Sequence, residues 1–173
     1  MPISAGARRK GRHAAGRARG SRDGHGGREA EGTRVYQSDW ILRQIEMMGL
    51  AFKRLLDALR EHRPEEAVEV SREAAGELLD VDPAMLDQLT GAGLVVMLSA
   101  GGSLDVFRAH MLGELLAARA EAYAELGNDD GAAHERGRAL ALLRAALPES
   151  EGAEQVRILE LIGWLEADAP RLQ

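Results

Sequence analysis

LAARAEAYAELGNDDGAAHERGRALALLRAALP, residues 116–148, decides the fold. Both halves are dominated by Ala, Leu, Glu and Arg, which are strong helix formers. Leu116, Ala120 and Tyr123 recur at helical spacing in the first half, and Ala132, Ala139, Leu140 and Leu142 do so in the second. Between them Gly127-Asn128-Asp129-Asp130 is a turn by composition, and Pro148 stops the second helix. Small side chains at 120, 132 and 139 let two antiparallel helices touch, while Tyr123 fills the wedge toward a neighbouring hairpin.

The same punctuation continues outward. Toward the C-terminus a sixth helix is expected from about Ser150 to Ala167, with Val156, Leu159, Ile162 and Leu165 on its inner face. Toward the N-terminus, Gly101-Gly102 is a stop and Ser103 the expected cap of a fourth helix reaching about Leu126, with Phe107, Leu112 and Leu115 inward. A third helix over 83–99, capped by Asp82, holds the most apolar stretch and reads as buried or as a contact surface. Pro64 opens a second helix at the position where its missing N–H costs nothing. Ala67, Ser71, Ala74, Ala75 and Leu78 form its small-residue stripe.

The first helix is expected from about Asp39 to Glu61, capped by Ser38 or Asp39, with Ile45, Met48, Phe52, Leu55, Leu56 and Leu59 on one face. Arg43 and Glu46 fall on its wet side. Gln44 falls between two apolar flanks, which predicts a buried amide bonded to backbone groups of a neighbouring helix end or loop. No period-2 pattern of useful length occurs anywhere, so the expected fold is all-α, with about six helices in antiparallel hairpins.

Leu116, Ala120, Tyr123, Gly127, Ala132, Ala139, Leu140 and Leu142 together resemble the tetratricopeptide repeat. Arg136 and Arg144 depart from it, standing where a large apolar residue and a proline are usual. Ala58, Ala67 and Ala74 fit the same register weakly. Residues 36–166 also look like a family of uncharacterised bacterial proteins with tetratricopeptide-like helices, through Asp39–Glu46, Pro64–Ala67, Glu77–Asp80 and Tyr123–Gly127. The resemblance implies a right-handed array of hairpins over residues 35–168, followed by a short tail at 169–173. It implies no particular activity.

Composition narrows the function. Only 3% of residues are aromatic against 45% hydrophobic, so the core must be built from close-packed aliphatic helices. There is no cysteine, which excludes disulfides and thiolate metal sites. No apolar run is long enough to span a bilayer, no secretion signal is readable, and a cytoplasmic protein is the expectation.

Charge divides the chain. Residues 1–34 carry nine Arg/Lys and three Asp/Glu, a balance of +6, whereas the rest carries 13 and 25, a balance of −12. An Arg/Gly arm with this composition cannot offset its ordering entropy by burial, so it is expected to be disordered. It would bind nucleic acid through phosphate contacts alone. A second expectation is that the native chain begins at Val35, directly before the first residues that read as folded.

Candidate chemistry is thin. His110 and Glu114 sit four apart but are expected on the wet side of their helix without a third ligand. His134 with Glu135 is weaker still. GAG at 91–93 lacks the strand and third glycine of a dinucleotide loop. Gly101-Gly102-Ser103 reads as a stop and cap before it reads as an anion site. No nucleophile is paired with a base, so neither an enzyme nor a cofactor is expected. The most concrete expectation is a protein-interaction module with Glu114, Glu121 and Glu125 on an acidic concave wall suited to a basic peptide. Homodimerisation through the apolar surplus of the first and third helices is a further expectation.

Overall fold

The computed structural model describes residues 27–167, with side chains placed from Leu42 onward except Gln44. The expected Gln44 lock, the basic arm before residue 27 and the tail at 169–173 therefore lie outside the described residues. The chain divides into two compact units, 1–38 and 39–173. The hydrophobic core, from Met48 to Leu165, belongs to the second.

Among the described residues every regular element is helical: α1 Gly27–Arg60, α2 Pro64–Leu79, α3 Pro83–Asp87, α4 Gly91–Leu98, α5 Val106–Glu125, α6 Asp129–Ala146, a 3-10 turn at Leu147–Glu149, and α7 Gly152–Ala167. α5 and α6 form the hairpin read from residues 116–148, and they are the most extensively packed pair. Their junction explains how so short a link suffices. Gly127 has φ +71°, and the Asn128 and Gly127 N–H groups donate to the Tyr123 and Ala124 carbonyls at 2.9 and 3.0 Å. This paired arrangement satisfies the last carbonyls of α5, and the left-handed position favours glycine. The Asn128 side chain then accepts from Gly131 N at 2.9 Å, capping α6 at once.

α2 packs on α5, α4 packs on α6, and α7 rests on α6 and α5. The α2 stripe of Ala67, Ser71, Ala74, Ala75 and Leu78 is fully buried. The core is aliphatic: Leu55, Leu78, Leu94, Leu112, Leu115, Leu116, Leu142, Leu143, Ile158 and Leu165 are all at most 1% exposed, and Ala120, Ala132 and Ala139 fill the narrow spaces between helices. Two glycines permit the closest approaches. A Cβ on Gly91 would stand 2.6 Å from Ala141 Cβ, and one on Gly113 would stand 2.8 Å from Leu143 Cγ.

Several expectations are corrected. α1 begins at Gly27 rather than near Asp39, so Ser38 and Asp39 lie within it and not at its start. Once a helix is nucleated, each further residue adds a hydrogen bond, so Glu- and Ala-bearing sequence extends it without needing a core. The single helix expected over 83–99 is two, because the Thr90 hydroxyl caps α4 by accepting from Gly93 N at 3.2 Å. That apolar stretch buries only Leu86, Leu94 and Leu98, while Met85 and Val96 are exposed. Asp105, not Ser103, caps α5, accepting from Arg108 N at 3.0 Å. Phe107 is 37% exposed in the first turn. α7 buries Ile158, Ile162 and Leu165, leaving Val156 and Leu159 exposed. Ile45 and Leu56 of the expected α1 face are also exposed.

Candidate functional site

Two polar constellations and one apolar groove stand out. The first constellation is internal. Arg119, Glu135 and Arg138 are only 3–5% exposed. Glu135 accepts from Arg119 Nη2 at 2.9 Å and from Arg138 Nη1 at 2.9 and 3.0 Å. Arg138 Nη2 donates to the Leu86 carbonyl at 2.6 Å, and Arg119 Nη1 donates to Asp87 Oδ1 at 3.1 Å. Asp87 also accepts from Arg72 Nε at 2.9 Å. The network ties α3 to α2, α5 and α6. Burial pulls the Arg138 pKa down despite Glu135 beside it. The Nε atoms of Arg119 and Arg138 are buried without a hydrogen-bond partner, so the network is not fully satisfied.

The second constellation joins α5 to α7. His110 is 7% exposed, contrary to its expected wet position, because α7 packs across this part of α5. Its Nδ1 lies 3.2 Å from Glu154 Oε1. Its Nε2 lies 3.4 Å from Glu114 Oε1, a close ionic approach rather than an aligned hydrogen bond. Arg157 Nε donates to Glu114 Oε1 at 2.8 Å. Glu114 and Glu154 hold the His110 pKa above its ordinary 6.5, against burial, which lowers it. Burial pushes the Glu114 carboxyl up, but His110 and Arg157 outweigh it and hold the group below its ordinary 4.5.

A raised histidine pKa stabilises the fold fully below pH 6.5 and loses that contribution as pH rises through the higher folded value. The thermal midpoint is therefore expected to fall as pH is raised from about 6 to about 8. His110→Gln should flatten that slope. A slope unchanged in the variant would place its origin elsewhere. Glu114 acts on the other side, its contribution fading as pH falls below 4.5.

The groove lies between α1, α5 and α7 and encloses about 260 Å³. Leu55 and Ala117 are its buried floor, with half-buried Phe52, Leu59, Ala118 and Leu161 as walls. Leu56 and Trp164, 47% and 42% exposed, stand at its mouth. Glu114, Glu121 and Arg157 form the polar rim.

The expected acidic wall is thus brought together only in part. Glu114 is turned into the His110–Arg157 cluster, Glu121 is exposed at the groove, and Glu125 is exposed with its carboxylate 3.9 Å from His62 Nδ1. Tyr123 is half-buried on the same helix. Of the weaker candidates, His134 is exposed while its neighbour Glu135 belongs to the internal network. Gly101, Gly102 and Ser103 are exposed loop.

Among the described residues no group of three or more His, Cys, Asp or Glu side chains could hold a metal ion, and no helix is long and apolar enough to cross a membrane. Sequence reasoning missed Arg119, Arg138, Arg157 and Trp164. Arg119 was detectable, since it follows Leu115 by four and Leu116 by three, which puts it on the apolar stripe of α5. Compared with known protein families, curated proteins and solved structures, the chain has no match.

Proposed function

We propose that the protein is a helical interaction module, built from tetratricopeptide-like hairpins, that binds an amphipathic helix of a protein partner and performs no chemistry of its own. The carrying observation is the groove. Leu56 and Trp164 stand exposed beside half-buried Phe52, Leu59 and Leu161 over an apolar floor. Apolar side chains gathered in this way mark contact surfaces, unlike the same residues scattered singly. The occupant lays its apolar stripe on these residues, spaced three and four apart. It places Lys or Arg toward Glu121 and Glu125, in keeping with the −12 balance of residues 35–173. Buried Ala120, Ala132 and Ala139 in the α5–α6 hairpin support the repeat likeness.

The probe is a synthetic amphipathic helix with leucines in that spacing and lysines at its flanks, titrated while Trp164 emission is followed in a Trp40→Phe background. A saturable spectral shift is expected, weakened on the order of 10-fold or more by Leu56→Glu. Glu121→Lys with Glu125→Lys should weaken binding further and reduce its salt dependence. Absence of a saturable shift at concentrations where the parent protein is monomeric would remove the reading.

A further inference from the structure

α1 carries two apolar faces; the core takes one of them and, through half-buried Phe52 and Leu59, the edge of the other. Met48, Leu55 and Ala58 are 2%, 0% and 0% exposed. The other face runs Leu42, Ile45, Gly49, Phe52, Leu56 and Leu59, alternately three and four residues apart over about two and a half heptads. Leu42, Ile45 and Leu56 on it are 57%, 48% and 47% exposed. The C-terminal half of this seam is a wall of the groove, while Leu42, Ile45 and Gly49 of its N-terminal half are not among the groove's lining residues.

We propose that the helix seated in the groove is the stretch of α1 from Leu42 to Gly49 of a second copy of this chain, running antiparallel, with the exchange reciprocal. This rests on the groove being a helix-binding site and names its occupant. Three features of the seam select this occupant and direction. Antiparallel pairing sets Leu42 against Leu59 of the second copy and Ile45 against Leu56 of the second copy, matching apolar residues throughout.

The same register sets Gly49 against Phe52 of the second copy. Gly49 has open space around it, with nothing within 4 Å of a Cβ placed there, so a bulky ring meets the one position without a side chain. Glu46 and Lys53, both exposed, border the seam on the side away from the core. In the antiparallel arrangement, residues at this border meet their own kind of position, so Glu46 faces Lys53 of the second copy and Lys53 faces Glu46 of the second copy. A parallel pair makes neither charge match and stacks glycine on glycine.

The full chain is expected to sediment as a monomer–dimer equilibrium. Leu42→Glu with Ile45→Glu should raise the dissociation constant on the order of 100-fold while leaving the helicity and thermal midpoint of the dilute, monomeric protein unchanged, since both side chains are exposed in the single copy. Direction is read by cross-linking, which the absence of native cysteine makes clean. Glu46→Cys mixed with Lys53→Cys should form a mixed disulfide in preference to either variant alone. Preferential Glu46→Cys self-cross-linking, or a dimer that survives the Leu42/Ile45 pair of changes, overturns the proposal. A monomeric parent that still seats the synthetic helix also overturns it, leaving the groove reading intact. Failure of that synthetic helix in a chain that dimerises through another surface removes both.

Discussion

Replacing Glu135 by leucine is expected to destabilise the fold by about 3–5 kcal/mol, because it leaves buried positive charge uncompensated. Glu135 is the anion shared by Arg119 and Arg138, at 2.9–3.0 Å from both. Without it, two guanidinium groups 3% exposed would rely on Asp87 and a single backbone carbonyl. Water cannot readily reach them, and their mutual repulsion would be little screened. At about 2–4 °C per kcal/mol for a chain of this size, the thermal midpoint should drop by roughly 10 °C. Replacing the whole triad, Arg119→Met with Glu135→Leu and Arg138→Met, should recover most of the loss, since it removes the desolvation penalty along with the attraction. A single-variant loss below about 1 kcal/mol would show that the cluster relaxes into solvent.

Leu143→Ala should cost about 2–5 kcal/mol, since Leu143 is fully buried between α5 and α6 and its loss leaves a cavity. Gly113→Ala should cost about 1–3 kcal/mol for the opposite reason. Its new methyl would stand 2.8 Å from Leu143 Cγ and Cδ2, closer than carbon atoms pack. The double variant decides the account: once Leu143 is shortened, the methyl at 113 enters the vacated space. Denaturant unfolding should therefore show the double variant less destabilised than the two single effects summed, with a coupling of about 1 kcal/mol or more. Strict additivity would mean that the Gly113–Leu143 contact does not set the helix spacing.

What the sequence disclosed depended on the range of the interaction. The α5–α6 hairpin was readable because its causes are local: helix formers on both sides, Gly127 at a left-handed position, and Asn128 as the following cap. The break between α3 and α4 was hidden because Gln88-Leu89-Thr90 contains neither Gly nor Pro, and a threonine cap competes poorly for notice beside an apolar run. Which helix covers which face is settled over longer separations. His110 and Glu114 looked wet because nothing local says that α7 returns across them from 44 residues away. The buried face of α7 is ambiguous for a similar reason. A stripe through 156, 159, 162 and 165 and one through 158, 162 and 165 overlap on the helix, and only docking on the assembled helices selects the second. Arg119, though it lies on the apolar stripe of α5, was missed along with Arg138, since their compensation by Glu135 and Asp87 exists only in the assembled helices.

The three-residue link between α5 and α6 also bears on the order of events during folding. Its ends are fixed by backbone bonds made within the chain segment 123–131. Closing so short a loop costs little entropy, and the largest helix–helix contact surface among the described residues then forms between sequence neighbours. That combination describes a low-contact-order nucleus, able to condense before α2 and α4 find α5 and α6 across longer separations. Substitutions in the hairpin are then expected to slow folding, and substitutions in α7 to speed unfolding, in denaturant-jump kinetics.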